Sequence, residues 1–299
     1  MISSFAKFKM NIRLILKLFY TLSTSIIGVV GILLSFITFQ EIGITSVYHK
    51  LLIFLTIVIL AFIISTLLVI FVWKKNRIWS RGKNKVYASY GDILKYAFKV
   101  KEKNRKIIVI PVNDAFDTIV DVGGESVSNP LVTPKSIHGE WIMKICKQLE
   151  ISQEELNDKI QRNLDLQKIK PEKIIKEEEK PRGNLRSYPI GTVAIIDGNN
   201  NTSFYLLVIS TFNETNNARS SKRKINEAVD DLIEFYDSNG QGFPLFMPLM
   251  GTGSSRANIS HTQSLQVIKS CILTAEEKIN GSMNIIVFNG DRDKVSIFN

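Results

Sequence analysis

The chain has 299 residues, 45% of them hydrophobic, and a formal net charge of +10. Eleven of its 38 Lys and Arg lie before residue 86, against Glu41 alone among 28 Asp and Glu, so the remainder carries 27 charges of each sign. A neutral remainder lacks the basic footprint that binding to a phosphate backbone needs, which argues against a nucleic-acid partner. Cys146 and Cys271 have no CxxC spacing and read as buried free thiols of a reducing compartment.

Two uninterrupted apolar stretches, residues 19–39 and 51–72, contain no Asp, Glu, Lys or Arg. At about 1.5 Å per residue each reaches roughly 30 Å, the hydrocarbon thickness of a bilayer. Basic clusters precede the first and follow the second, so the positive-inside rule places both termini in the cytoplasm. A cleaved signal peptide fits less well, because the first stretch is too long and a second span follows at once. Residues 1–85 are therefore expected to be a two-helix membrane anchor in the lipid bilayer. Thr21, Ser25, Gly28, Gly31 and Ser35 share one helical face, either a packing surface or the ordinary small-residue content of membrane helices.

Residues 86–299 are long enough for one domain with a sizeable core. Strands are expected at residues 106–112, 192–196, 204–211, 243–248 and 284–288, several of them continuously apolar as in a sheet covered on both faces. Helices are expected at 139–149, 221–238 and 262–280. The alternation gives an α/β fold with a central mixed sheet flanked by helices. Residues 152–181 stand apart: a capping-box start, Ser152 to Glu155, leads to a break at Pro171 and a Lys/Glu-rich run. Within the block 150–182 this reads as a solvated insertion or a partner-binding arm.

The three histidines have no partners at metal-ligand spacing, and no metal or cofactor is expected. Pro248-Leu-Met-Gly251-Thr252-Gly253-Ser254-Ser255-Arg256 follows an apolar run. Such a turn either simply reverses the chain or turns its backbone N–H groups toward an anion, with hydroxyls and Arg256 adding donors. Gly91-Asp92-Ile93 precedes the strand that ends in Val112-Asn113-Asp114-Ala115-Phe116-Asp117, where Asn and Asp are also ordinary turn residues.

In this order the three elements resemble a macro domain, the α/β module that binds ADP-ribose, and Gly191-Thr-Val-Ala-Ile195 resembles that family's middle strand entry. The resemblance implies that Asp92 contacts adenine with Ile93 beside it. It puts Asn113, Asp114 and Phe116 in the ribose loop, and Gly251, Thr252, Gly253, Ser254, Ser255 and Arg256 around the phosphates. Phe116 stands where hydrolytic members carry a second Asn, and the triple glycine that follows is reduced to Gly123-Gly124 before Glu125. Phenylalanine cannot orient a water, so binding is expected rather than hydrolysis.

Two spans before such a domain, with Ser136-Ile-His138-Gly139, resemble the membrane effector of Thoeris antiphage systems. That resemblance implies a bacterial inner-membrane protein reading a nucleotide signal, histidine–ADP-ribose, made by a TIR-domain partner. It also implies homo-oligomerisation in the membrane, membrane damage and abortive infection, with the face of Ser25, Gly28, Gly31 and Ser35 as the expected place of helix packing. Ser136, His138 and Glu140 become candidates for the signal's extra group, with helix capping by Ser136 as the structural alternative. The competing functions are a membrane-bound ADP-ribosyl hydrolase and a scaffold that recruits a partner through the charged segment.

Overall fold

The computed structural model describes residues 2–99, 104–121, 131–199, 201–212, 218–253 and 255–299. It forms two compact units, Met1–Asn76 with Arg292–Asn299, and Arg77–Asp291.

In the first unit the apolar stretches become α1 (Ile2–Leu34) and α2 (Val47–Leu67), the latter continued by a π-helical turn, Leu68–Val72. Helix α1 begins well before the expected span. Its first half is amphipathic, with Lys9, Arg13 and Lys17 exposed at four-residue spacing and Asn11 and Ile15 buried. The segments Ser4–Leu34 and Val47–Val72 are long and apolar enough to cross a bilayer. Of 29 exposed large apolar side chains among the described residues, 24 lie between Phe5 and Val72, the inverse of a soluble core helix. Phe62 of α2 meets the edges of Phe8 and Phe19 of α1, at centroid distances of 6.3 and 5.7 Å. The small-residue face is not part of that packing. Thr21, Ser25, Gly28, Gly31 and Ser35 are exposed, and a Cβ at either glycine would meet nothing within 4 Å. The last eight residues, expected in the soluble domain, join the helical unit instead, with Val295 and Ile297 fully buried.

The second unit runs β1 (Lys75–Arg81), β2 (Asn84–Gly91), α3 (Ile93–Ala97), β3 (Lys106–Asn113), α4 (Ile137–Leu149), α5 (Gln153–Leu166), β4 (Lys173–Ile174), β5 (Arg186–Ser187), β6 (Val193–Asp197), β7 (Thr202–Phe212), β8 (Ala218–Arg219), α6 (Lys222–Asn239), β9 (Leu245–Pro248), α7 (His261–Thr274) and β10 (Ser282–Phe288). Among the described residues the main sheet has the order β1-β2-β10-β9-β3-β7-β6, with β8 paired to β7. The pairs β2–β10, β10–β9, β9–β3 and β3–β7 are parallel, whereas β6 and β8 run antiparallel to β7. The central strands β3 and β7 are buried along nearly their whole length, as their apolar runs require. The edge strand β1 was not expected, because its Lys- and Arg-rich sequence buries no residue fully.

Helix α5 changes the reading of the charged segment. The capping box at Ser152 and Glu155 forms, and Leu156, Ile160 and Leu164, one per turn, are fully buried in the core with Trp141, Ile145 and Phe204. The outer face of α5 and most of residues 172–179 and 181–182 are exposed. Replacing Ile160 by Ala should cost ~2–5 kcal/mol, against ~0.5 kcal/mol or less for exposed Glu178→Ala. Urea unfolding in detergent checks this, and equal midpoints for the two variants would contradict the placement of α5.

Candidate functional site

Because β3, β7, β9 and β10 are parallel neighbours, their carboxyl ends lie on one edge of the sheet. A cleft of about 410 Å³ opens there. It is lined by the ends of β3 (residues 111–113) and β7 (209, 210 and 212), by Ala218, by the segment after β9 (249–253, 255 and 256), and by residues 131–133 and 135–138 leading into α4. Open parallel sheets take ligands in this place, beyond the strand ends.

The turn after β9 is shaped by backbone freedom. Gly251 has φ +82°, and a Cβ there would come within 2.8 Å of Ile259 Cδ1. Arg256 and Asn258 also adopt positive φ, 48° and 54°, which is uncommon for such residues. Gly253 differs, with nothing within 4 Å of an added Cβ, so a side chain at this position would project into open space beside the cleft. Thr252, Gly253, Ser255 and Arg256 all line the cleft, whereas Ser254 lies outside the described residues.

Helix α4 brings its first turn to the same cleft. Ser136 caps it, accepting from Gly139 N at 3.0 Å and donating to Thr133 O at 2.7 Å. Gly139 is required by close approach, since a Cβ there would collide with the Thr133 carbonyl oxygen. His138 lines the cleft yet is only 6% exposed, and its Nε2 has no hydrogen-bond partner. Its ring stacks near Trp141, and burial pushes its pKa down to about 3, so the imidazole is neutral. Glu140 instead pairs with Lys144 at 3.6 Å on the helix surface. The sequence reading missed Lys135 and the β7 residues Ser210 and Phe212, all of which line the cleft. The pairing of β3 with β7 would have located the latter two, since parallel neighbours end together.

The segment after β3 turns inward. Asn113 lines the cleft, and its Oδ1 accepts from Ala115 N and Asp117 N, closing an Asx-type turn. Phe116, expected at the ribose, takes φ +52° and is fully buried edge-on to Tyr188. Its large apolar ring is better accommodated in the core than in a wet cleft. Asp114 is also buried, accepting from Ser187 Oγ at 2.7 Å and from Phe212 N at 3.3 Å. Burial pushes the carboxyls of Asp114 and Asp117 above the usual range, opposed by these hydrogen bonds and by Lys180. Lys180, from the charged segment, sits fully buried on Asp117 at 2.8 Å and also donates to Asn184 O. Asn184 completes the clamp through Asp117 Oδ1 and the carbonyl of Ala115. Asp92 does not line the cleft. It caps α3, with its Oδ1 accepting from Leu94 N and Lys95 N, while Ile93 is buried in the core. Gly123, Gly124 and Glu125 lie outside the described residues.

The buried imidazole has a consequence for acid stability. The unfolded chain takes up a proton near pH 6.5 that folded His138 refuses until about pH 3, so stability falls as pH is lowered through that window. From pH 7 to pH 5 the loss attributable to this group is about 2 kcal/mol. His138→Phe should be less acid-sensitive by that amount. Denaturant unfolding at both pH values tests it, and identical pH dependence in the two proteins would contradict a buried neutral histidine.

Residues 86–288 match a family model described as Thoeris protein ThsA, Macro domain. No curated protein matches the chain. Among solved structures, the Oceanobacillus iheyensis macrodomain with MES bound is 13% identical, with a TM-score of 0.44, covering 73% of this chain and 90% of that one. The same macrodomain with ADP is 14% identical, with a TM-score of 0.45 and the same coverage. A Bacteroides thetaiotaomicron protein is 12% identical, with a TM-score of 0.35, covering 66% of this chain and 96% of that one. The family match takes in more than half of the 299 residues and contains every cleft-lining residue, and by it this chain belongs to the Thoeris ThsA macro-domain family.

Proposed function

We propose that the protein is a membrane-anchored effector whose macro unit captures an ADP-ribose-derived signal without hydrolysing it, the signal being histidine–ADP-ribose from a TIR-domain enzyme. The observation that carries this reading is the pairing of an open Gly251–Arg256 turn with a Phe116 that faces the core. In this reading the turn's backbone N–H groups, the α4 N-terminus, Lys135 and Arg256 surround the diphosphate. Asn113, which lines the cleft at the end of β3, stands at the ribose in this reading. Asp92 stands outside the lined cleft, and both its cap bonds fall on Oδ1, so in this reading Oδ2 takes the adenine amino group where the ligand extends past the lining. The orphaned Nε2 of His138 is the group that reads the signal's extra moiety.

A hydrolase needs a group that orients water at the ribose. Among the described residues after β3, the side chains of Asp114, Phe116 and Asp117 are buried and already engaged. That supports a sensor over an ADP-ribosyl hydrolase. The scaffold reading relied on a free charged arm, whereas α5 belongs to the core and Lys180 to the clamp.

On the membrane side, α1 and α2 cross the bacterial inner membrane with both termini cytoplasmic, and capture of the signal favours a homo-oligomer that damages the bilayer and aborts infection. One hairpin cannot enclose a water path, so several copies are needed. The exposed face of Thr21, Ser25, Gly28, Gly31 and Ser35 is where neighbouring copies pack. The ligand shifts the assembly equilibrium only by its differential affinity for the two states.

Two variants separate these steps. Gly253→Leu should lower calorimetric affinity for ADP-ribose and histidine–ADP-ribose at least tenfold with an unchanged unfolding midpoint, and should abolish toxicity in cells that make the signal. Gly28→Leu with Gly31→Leu should leave that affinity within twofold and still abolish toxicity. Full affinity in the first, or full toxicity in the second, would contradict the respective assignment.

A further inference from the structure

The C-terminal octapeptide Arg292–Asn299 carries more structure than a tail requires. Val295 and Ile297 are fully buried, and Ser296 is 5% exposed. Ser296 Oγ donates to Asn11 Oδ1 of α1 at 2.5 Å, and Asn299 Nδ2 donates to the Met10 carbonyl at 3.3 Å. Asn11 is itself 96% buried, so this is a desolvated polar contact and costly to leave unmade. On its other side the tail holds the end of the second helix. Arg292 Nη2 donates to the carbonyls of Ile70 and Trp73, at 2.8 and 3.5 Å, and Asn76 Nδ2 donates to the Ile297 carbonyl at 2.7 Å. Trp73 and Phe298 meet at a centroid distance of 6.3 Å.

The last carbonyls of a helix have no partner within it, and a cation at that end complements its dipole. The π-helical turn Leu68–Val72 makes this end irregular, and such turns recur at functional positions. Arg292 is therefore the cap of α2, delivered from the far end of the chain. The eight residues bridge the base of α1 to the base of α2.

Chain order gives this bridge its meaning. Strand β10 pairs with β9 and β2, the strands that lead into the Gly251 turn and Asp92, and it ends at Phe288. Only Asn289–Asp291, a 3₁₀ turn, lies between β10 and the tail. The folded segment Arg77–Asp291 is thus inserted into the anchor unit and joined to it covalently at both ends.

We propose that Arg292–Asn299 is a clasp that closes the cytoplasmic base of the hairpin and is the route by which the macro unit acts on the membrane helices. The coupling half of this proposal rests on the reading of the cleft as the signal site. Strain or displacement at the carboxyl end of β10 is carried over three residues to Arg292 and Ser296, where the α1 and α2 bases are held together.

Hydrogen–deuterium exchange on the full chain in detergent tests both halves. Ending the chain at Asp291 should speed exchange at residues 8–15 and 68–76 at least tenfold while β3 and β7 keep their rates. Arg292→Ala with Ser296→Ala should do the same, and it decides the matter if the shortened chain loses protection throughout. Unchanged exchange at the hairpin base would overturn the clasp. Adding ADP-ribose to the unmodified protein should slow residues 131–138 and 249–253 and change exchange at 292–299 and at the hairpin base by at least threefold. A slowed cleft with an unchanged base would overturn the tail as the route. No slowing at the cleft at any concentration would overturn the functional reading instead, leaving the first comparison to decide the clasp.

Discussion

Asp117 is fully buried and held by an ammonium, Lys180, that is itself fully buried. Losing either partner leaves a desolvated charge, a penalty of ~3–5 kcal/mol in typical cases. Around this pair the segment 113–117 has one arrangement: Asn113 at the cleft, Phe116 turned into the core at positive φ, Asp114 tied to Ser187 and β7. What the ligand edge of the sheet can do chemically follows from that arrangement. On the proposed reading, a segment whose carboxylates are already engaged holds a sugar rather than activating water.

The same pair explains why the charged segment exists in this position. Its helix α5 is anchored by Leu156, Ile160 and Leu164, and its far end delivers Lys180, Arg182 and Asn184 to the carboxylates of the ligand loop. The Lys/Glu-rich run between them is largely exposed. Composition alone described the run as solvated, which is true of residues 172–179. It hid the buried lysine, because a lysine whose charge is matched deep in the fold looks no different in sequence from one on the surface.

Legibility followed the physics of each signal. Continuous apolar runs marked β3, β7 and β10, amphipathic stretches marked α4, α6 and α7, and a capping-box start marked α5, since local patterning decides those elements. The glycine-rich turn after β9 was legible from its local composition, whereas Asn113 and His138, which also line the cleft, were singled out only through the family resemblance. The inward turn of Phe116, the capping rather than cleft-lining place of Asp92, and the cleft role of Ser210 and Phe212 depend on strand register and core packing, which are non-local. The tail belongs to the same class. Its partners Asn11 and Ile70 lie more than 200 residues away in sequence, and no spacing rule connects them.

The proposed receptor reading rests on three features together: the cleft at the strand ends, the core-facing Phe116, and the exposed small-residue face of α1. The most direct measurement incubates the full chain with a stoichiometric amount of histidine–ADP-ribose, denatures the complex after many hours and identifies the nucleotide by mass spectrometry. The account expects one intact molecule recovered per site. Release of free histidine or ADP-ribose in amounts exceeding a no-protein control would contradict it.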